Sequence, residues 1–317
     1  REGAENHDPA TEGDWNARKA AALKAYFEWM PIREPAGGMR EAINRSFHFG
    51  DLASLIMIET RLTARDHQLS YGEDLPNQEP ATLEAFRAKL ADPSRKMMGE
   101  GQHAWVAGEV KRSIAAGHAW QVLGNEVVMA RLAVPSLRAA TDPATYDAAV
   151  AKLPKYEQGY VARLEKAAAL GLPWGLDMWD GYPADRQRLY DDLSAPGARP
   201  VVLAGDSHCF WANELYDAPE GGRRVAVEFG TTGITSPGAA DVLGGLPADK
   251  GFVDTNREVL YANSGAKGFV LLTLDREQVK GEMMAVSTIT EKTFTVAPVK
   301  TFIAKAEPTG VSGLTEV

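Results

Sequence analysis

The chain has 317 residues, of which 44% are hydrophobic and 24% are charged, which is typical of a globular protein with one large core or two modest ones. Its net charge of -9 argues against a general nucleic-acid binder, because such proteins bring Lys and Arg to the phosphate backbone. The single cysteine, Cys209, excludes an intramolecular disulfide and a Cys-based zinc knuckle. No stretch approaches the ~18 consecutive apolar residues that span a bilayer, so no membrane protein is expected.

The patterning predicts helices alternating with strands up to about residue 230, followed by a β-rich tail from about residue 259. In the first helix, Tyr26 and Trp29 are expected to lie in the core, because large aromatic side chains dominate cores. Helices are predicted at residues 14–30, 80–90, 100–114 and 183–193, and two more, without strong caps, within 141–170. Strands are predicted at residues 43–49, 52–58, 120–132, 201–204, 225–229, 269–274, 282–287 and 294–303.

The segment at residues 200–215, PVVLAGDSHCFWANEL, is the most informative in the chain. An apolar strand runs into Gly205, which permits a sharp turn, and then into Asp206 and His208. Strands of open α/β sheets present functional groups at their carboxyl ends, and residues two apart in an extended segment project to the same side. The spacing therefore predicts a carboxylate and an imidazole that face a shared metal ion with oxygen and nitrogen ligands.

Two other interpretations of this segment stay open. In the first, Asp206 caps a following helix and His208 packs under Trp211. In the second, Gly205-Asp206-Ser207 is the signature of GDS-type serine esterases, in which Ser207 attacks with the help of a histidine base. That base follows late in the chain in those esterases. Here every other histidine precedes His208, and this order disfavours the esterase: His7, His48, His67, His103 and His118.

Several blocks, in the same order along the chain, resemble those of PhoD-like alkaline phosphatases, which are similar to calcineurin-type metallophosphoesterases. The blocks are GAENH at 3–7, WNARK at 15–19, AYFEWMPIR at 25–33, ETR at 59–61 with Arg65, the region 95–105, WDGYP at 179–183 with Arg186, GDSH at 205–208, and EF at 228–229 followed by TTGITSPG at 231–238. Their joint order is more specific than any one block. The chain resembles the C-terminal portion of such an enzyme.

The resemblance implies an α/β fold, namely a metallophosphoesterase-like sandwich of mixed sheets flanked by helices, with its N-terminal strands missing. Residues 1–317 would form one incomplete catalytic domain. The implied activity is hydrolysis of phosphate monoesters and diesters by bound metals, calcium and iron in the better-described relatives. The implied partner is a small phosphate-ester substrate, and the implied location is the periplasm or the cell exterior.

The resemblance also implies roles for particular residues. Asp206 and His208 would be metal ligands, with Ser207 and Trp211 close by. Arg61 and Arg65 are candidates either for contact with the phosphate group or for structural ion pairs. The remaining candidates are Trp179, as a pocket wall, and Asp180, as a helix cap or a support behind the ligands.

Two departures from the family pattern carry expectations of their own. The family's first ligands come from a DDHExxN block immediately before GAENH, and this chain starts at Arg1. We therefore expect it to need an absent N-terminal half and to be inactive, or nearly so, alone. Many relatives carry Asn-Pro-His near residue 256, whereas this chain has Asn256-Arg257-Glu258, so Glu258 is either an oxygen ligand or no ligand at all. A degenerate binding module that has lost catalysis is the third alternative.

Overall fold

The computed structural model describes residues 3–4 and 7–317 and contains two sheets. The first has seven strands in the order β1-β2-β3-β4-β6-β5-β7. Strands β2, β3, β4 and β6 are parallel, whereas β1 and β5 run against them. The strands are β1 (Arg45–Phe49), β2 (Ala53–Met57), β3 (Trp120–Gly124), β4 (Pro200–Ala204), β5 (Phe210–Tyr216), β6 (Arg224–Gly230) and β7 (Val259–Asn263).

The second sheet is antiparallel, with the order β11-β10-β9-β8 and β12 paired to β10. The predicted β-rich tail is confirmed, although β7 joins the first sheet rather than the second. The strands are β8 (Gly268–Leu274), β9 (Gln278–Val286), β10 (Val296–Glu307), β11 (Gly310–Val311) and β12 (Thr315–Glu316).

Helices occupy much of the chain before β4. The carboxylate of Asp142 accepts a hydrogen bond from the backbone N–H of Thr145, so the expectation that residues 141–170 lack strong caps is wrong for α6. The helices are α1 (Pro9–Glu12), α2 (Trp15–Trp29), α3 (Tyr71–Asp74), α4 (Pro80–Leu90), α5 (Glu100–Ala115), α6 (Pro143–Lys152), α7 (Lys155–Ala169), α8 (Pro183–Leu193), α9 (Ala239–Val242) and α10 (Ala248–Thr255). No described helix is both long and apolar enough to cross a membrane.

The strands β3, β4, β5 and β6 of the first sheet are buried on both faces, which explains their mostly apolar sequences, whereas the edge strand β1 is largely exposed. Alternation along β3 sends Leu123 into a cluster with α5 and α8, and Trp120 and Val122 into a cluster with the second sheet. Met283 of β9 and Phe302 of β10 complete that second cluster. The mixed α/β class predicted from the sequence is confirmed.

Two expectations about the N-terminal half are wrong. Trp29 is 85% exposed and Tyr26 is 37% exposed, so neither lies in the core. Leu23 is the residue that α2 buries, because the helix meets the rest of the molecule over only part of its apolar side. The strand expected at 120–132 ends at Gly124, and the buried residues that follow it are irregular. Residues 5–6 of the GAENH block lie outside the described residues.

Candidate active site

The carboxyl ends of the parallel strands bring three chain segments together. The turn after β2 carries Arg61, the segment after β3 carries Asn125 and Glu126, and the segment after β4 carries Asp206. Backbone hydrogen bonds link the last two segments, because Gly205 N–H donates to the carbonyl oxygen of Glu126 at 3.1 Å. This edge is where open α/β sheets place their functional groups.

The GDSH segment turns sharply instead of continuing β4. Asp206 has φ 64° and His208 has φ 53°, both in the left-handed region that non-glycine residues seldom adopt. The prediction that both side chains leave an extended backbone on the same side is therefore wrong in its premise, and Gly205 is not the residue that makes the turn. Left-handed backbone at Asp206 and His208 costs free energy, and such strain is typical of functional sites.

His208 is oriented by the TTGITSPG block. Its Nδ1 lies 2.7 Å from the carbonyl oxygen of Pro237. A carbonyl only accepts hydrogen bonds, so Nδ1 carries a proton, and in the neutral imidazole Nε2 is then the nitrogen with the lone pair. This second hydrogen bond is what protein metal sites use to fix the tautomer and direction of a histidine ligand.

Ser207 and Trp211 do not form an esterase site in this structure. The indole N–H of Trp211 donates to the Ser207 hydroxyl oxygen at 2.8 Å, and no histidine hydrogen-bonds that oxygen among the described residues. His103 is the histidine held by carboxylates, but both its ring nitrogens are engaged and it is buried. The helix-cap interpretation of Asp206 is wrong, because the chain enters strand β5 and no helix follows.

Asp206 is 51% exposed and faces a cation of the protein itself. The Nη2 of Arg61 lies 3.7 Å from its carboxylate, and the Nε of the same residue lies 3.3 Å from that of Glu126. Asp177 binds the other side of Arg61 and also Arg65. The structure thus brings Arg61 close to Asp206, and it places Arg65 one ion pair further away.

The side chains at this edge include chemical groups that commonly bind metal ions. An exposed carboxylate and an imidazole with a free Nε2 are the oxygen and nitrogen ligands that such ions use in proteins. Within the described residues, however, no three His, Cys, Asp or Glu side chains are arranged to hold an ion. Asp206 and His208 could therefore supply part of a coordination shell, with the other ligands coming from different groups.

Trp179 and Asp180 are supports in the core. Trp179 is fully buried and donates its indole N–H to Asn125 Oδ1 at 3.1 Å, so it fixes the residue that follows β3. Asp180 accepts from the N–H of Leu132 at 2.7 Å and from Arg186 at 2.6 Å. Of the two roles that the sequence left open for Asp180, helix cap or support, the contacts agree with a support, because it accepts from an irregular segment and not from the start of α8.

That irregular segment, residues 129–133, is held by acceptors from four distant positions. Glu228 accepts from the N–H groups of residues 129 and 130, Glu258 from residue 131, Asp180 from residue 132 and Asn256 from residue 133. Glu258 also binds the Arg131 side chain, so it serves this segment and is not free to act as a metal ligand. Burial raises the pKa of Glu228 to about 7.

Comparison with known proteins places these features in one family. The family profile described as PhoD-like phosphatase matches residues 1–283. Alkaline phosphatase D of Bacillus subtilis (strain 168) is 26% identical over 304 residues, which cover 93% of this chain and 43% of that protein. A solved structure of PhoD shares the fold, with a TM-score of 0.66 at 24% identity, over 95% of this chain and 49% of that one. This chain therefore spans less than half the length of both relatives.

Proposed function

Because this chain belongs to the PhoD-like phosphatase family, we propose that it is the C-terminal part of a catalytic domain that hydrolyses phosphate monoesters and diesters with bound metal ions. The observation that carries the proposal is the GDSH turn after β4. There, Asp206 is exposed, and His208 is fixed by the Pro237 carbonyl with its Nε2 free. We further propose that the rest of this catalytic domain corresponds to the part of the relatives' length that this chain does not match.

A carboxylate oxygen of Asp206 and Nε2 of His208 would hold the cation. From the resemblance to the family we propose that the bound metals are calcium and iron. A bound metal supplies Lewis acidity and a water of lowered pKa in hydrolysis of this type. The residues of this chain add orientation, because the Pro237 carbonyl fixes the imidazole. Arg61 adds positive charge beside Asp206, where the guanidinium can donate to the phosphate oxygens of the ester.

The number of ligands limits what this polypeptide does alone. Two protein donors do not hold a catalytic ion tightly, and no third His, Cys, Asp or Glu joins them within the described residues. We therefore propose that this chain by itself is nearly inactive and that further ligands come from the half of the family's length that it does not match. The whole protein would act in the periplasm or outside the cell.

The test compares this chain with the longest polypeptide that its gene encodes. Both are assayed with p-nitrophenyl phosphate and bis(p-nitrophenyl) phosphate after addition of calcium and iron, with and without EDTA. We expect chelator-sensitive hydrolysis by the longer protein, its loss in Asp206→Asn and His208→Asn, and full activity in the exposed control Asp254→Asn. Hydrolysis that EDTA leaves unchanged would contradict the proposal, and no hydrolysis by either protein would favour a degenerate binding module.

A further inference from the structure

Asp177, in the loop before α8, holds the arginine that lies beside Asp206. Its Oδ1 and Oδ2 accept from Nη1 and Nη2 of Arg61 at 2.6 and 2.8 Å, which is a two-pronged ion pair. Arg65 reinforces it by donating to Oδ1 at 2.7 Å and to the Asp177 backbone carbonyl at 2.9 Å. Asp177 is therefore anchored by one arginine while it orients the other.

The contacts of Arg61 with its three acidic neighbours are unequal. The pair with Asp177 is short, whereas the distances to Glu126 and Asp206 are 3.3 and 3.7 Å. Burial by itself would raise the pKa of Asp177. The hydrogen bonds with Arg61 and the charges of Arg61 and Arg65 outweigh burial and lower the pKa below its ordinary value, so this carboxylate stays ionised. The guanidinium is thus held short of a full pair with Asp206.

A guanidinium and a metal ion compete for the same carboxylate. A freed Arg61 would close onto Asp206, because the Arg fork matches a carboxylate in shape and charge. The oxygen that the cation needs would then be occupied. Held at its present position, the Arg61 guanidinium faces the site and leaves the Asp206 carboxylate available to a cation.

We propose that Asp177 is a positioning residue that holds Arg61 away from Asp206, so that Asp206 stays available to a metal ion while Arg61 faces the phosphate group of the substrate. This rests on the proposed function for the location of the metal site. Asp177 would touch neither the metal nor the ester, and it would still set how strongly the site binds cations.

The experiment measures cation binding directly and does not need activity. Mn²⁺ is titrated into the ¹⁵N-labelled chain, and the paramagnetic broadening of the amide signals of residues 206–208 is followed, which detects weak binding. We expect Asp177→Asn to need roughly fivefold more Mn²⁺ for the same broadening, the size of an exposed ion pair. Arg61→Gln should need no more Mn²⁺ than the wild type, because it removes the competing charge.

The double variant Asp177→Asn with Arg61→Gln separates positioning from a general structural role. We expect it to bind Mn²⁺ like Arg61→Gln alone, since no arginine remains to be restrained, and we expect Asp177→Glu to bind like the wild type. The control is Asp147→Asn in α6, which removes an exposed ion pair with Arg138. It should leave the Mn²⁺ titration unchanged.

Three results would overturn the proposal: wild-type binding in Asp177→Asn, a double variant as weak as Asp177→Asn, or no broadening at residues 206–208 in the wild type. If the expected Mn²⁺ pattern appears but the phosphatase assay gives no hydrolysis, the role of Asp177 stands and the proposed activity fails. If hydrolysis is observed but the expected Mn²⁺ pattern is not, the role of Asp177 is rejected and the proposed activity stands.

Discussion

His103 ties α5 to α8 through two aspartates, and this contact makes stability depend on pH. Its Nε2 lies 3.1 Å from Asp185 and its Nδ1 lies 2.6 Å from Asp192. Burial alone would lower the pKa of His103, but the hydrogen bonds to Asp185 and Asp192 raise it from 6.5 to about 9. The native state therefore keeps a proton that the unfolded chain releases above pH 6.5.

A group whose pKa is raised by folding stabilises the native state below its unfolded pKa, and that contribution is lost as pH rises through the folded pKa. The window for His103 is thus about pH 6.5 to 9. At about 1.4 kcal/mol per pH unit, the contribution to the free energy of unfolding is about 3 kcal/mol. A neutral Gln at position 103 has no proton to keep, so His103→Gln should lack this dependence.

The assay is urea denaturation of the wild type and His103→Gln at pH 6, 7.5 and 9.5. We expect the wild type to be the more stable at pH 6 and its advantage to shrink by about 3 kcal/mol at pH 9.5. Taking the difference between the two proteins cancels the contributions of all other titrating groups, and His67→Gln, an exposed histidine, serves as the matched control. Parallel pH curves for the wild type and His103→Gln would show that folding does not raise the pKa of His103.

Three further predictions concern the supports of the site. Asp180→Ala leaves the buried guanidinium of Arg186 without its partner and should cost about 3 to 5 kcal/mol in urea denaturation, whereas a cost below about 1 kcal/mol would contradict a buried pair. Glu228 has a pKa raised from 4.5 to about 7, so its contribution makes stability fall as pH rises through that window, and Glu228→Gln should flatten the fall in Tm between pH 4.5 and 7.5. A Cβ at Gly238 would clash first with the carbonyl oxygen of Ser264 and then with that of His208, 2.7 Å away. Gly238→Ala should therefore displace the backbone around His208 and shift its imidazole signals in NMR spectra; unchanged signals would show that only the Ser264 side moves.

The position of the site could be predicted from the sequence, but its local geometry could not. An apolar strand followed by GDSH places Asp206 and His208 at the carboxyl edge of a sheet, where β4 indeed ends. The backbone is left-handed at both residues, and His208 also makes a hydrogen bond outside the segment, to the Pro237 carbonyl. Spacing along the chain carries no information about that contact.

Asn125 could also have been predicted from the sequence to lie at the carboxyl edge of the sheet. It also follows a buried apolar strand, β3, and its amide carbonyl is held by Trp179 at the edge of the sheet. The apolar residues 127–130 after it look like a continuation of the strand, which hid the strand's end at Gly124.

The supports of that segment were beyond sequence reasoning for a different reason. Its N–H groups are satisfied by side chains about 50 to 130 residues further along the chain, including Asp180, Glu228 and Glu258. Each of these acids looks like a candidate ligand or cap in isolation. Only the fold shows that they are acceptors for one irregular stretch of buried backbone.

The proposed function requires that one cation is bound jointly by Asp206 and His208. Crystals soaked in Mn²⁺ and measured at its absorption edge locate the ion through its anomalous scattering. We predict a peak within about 2.0–2.6 Å of both an Asp206 carboxylate oxygen and Nε2 of His208. A peak elsewhere only, or a turn whose two side chains point apart with no peak between them, would contradict it.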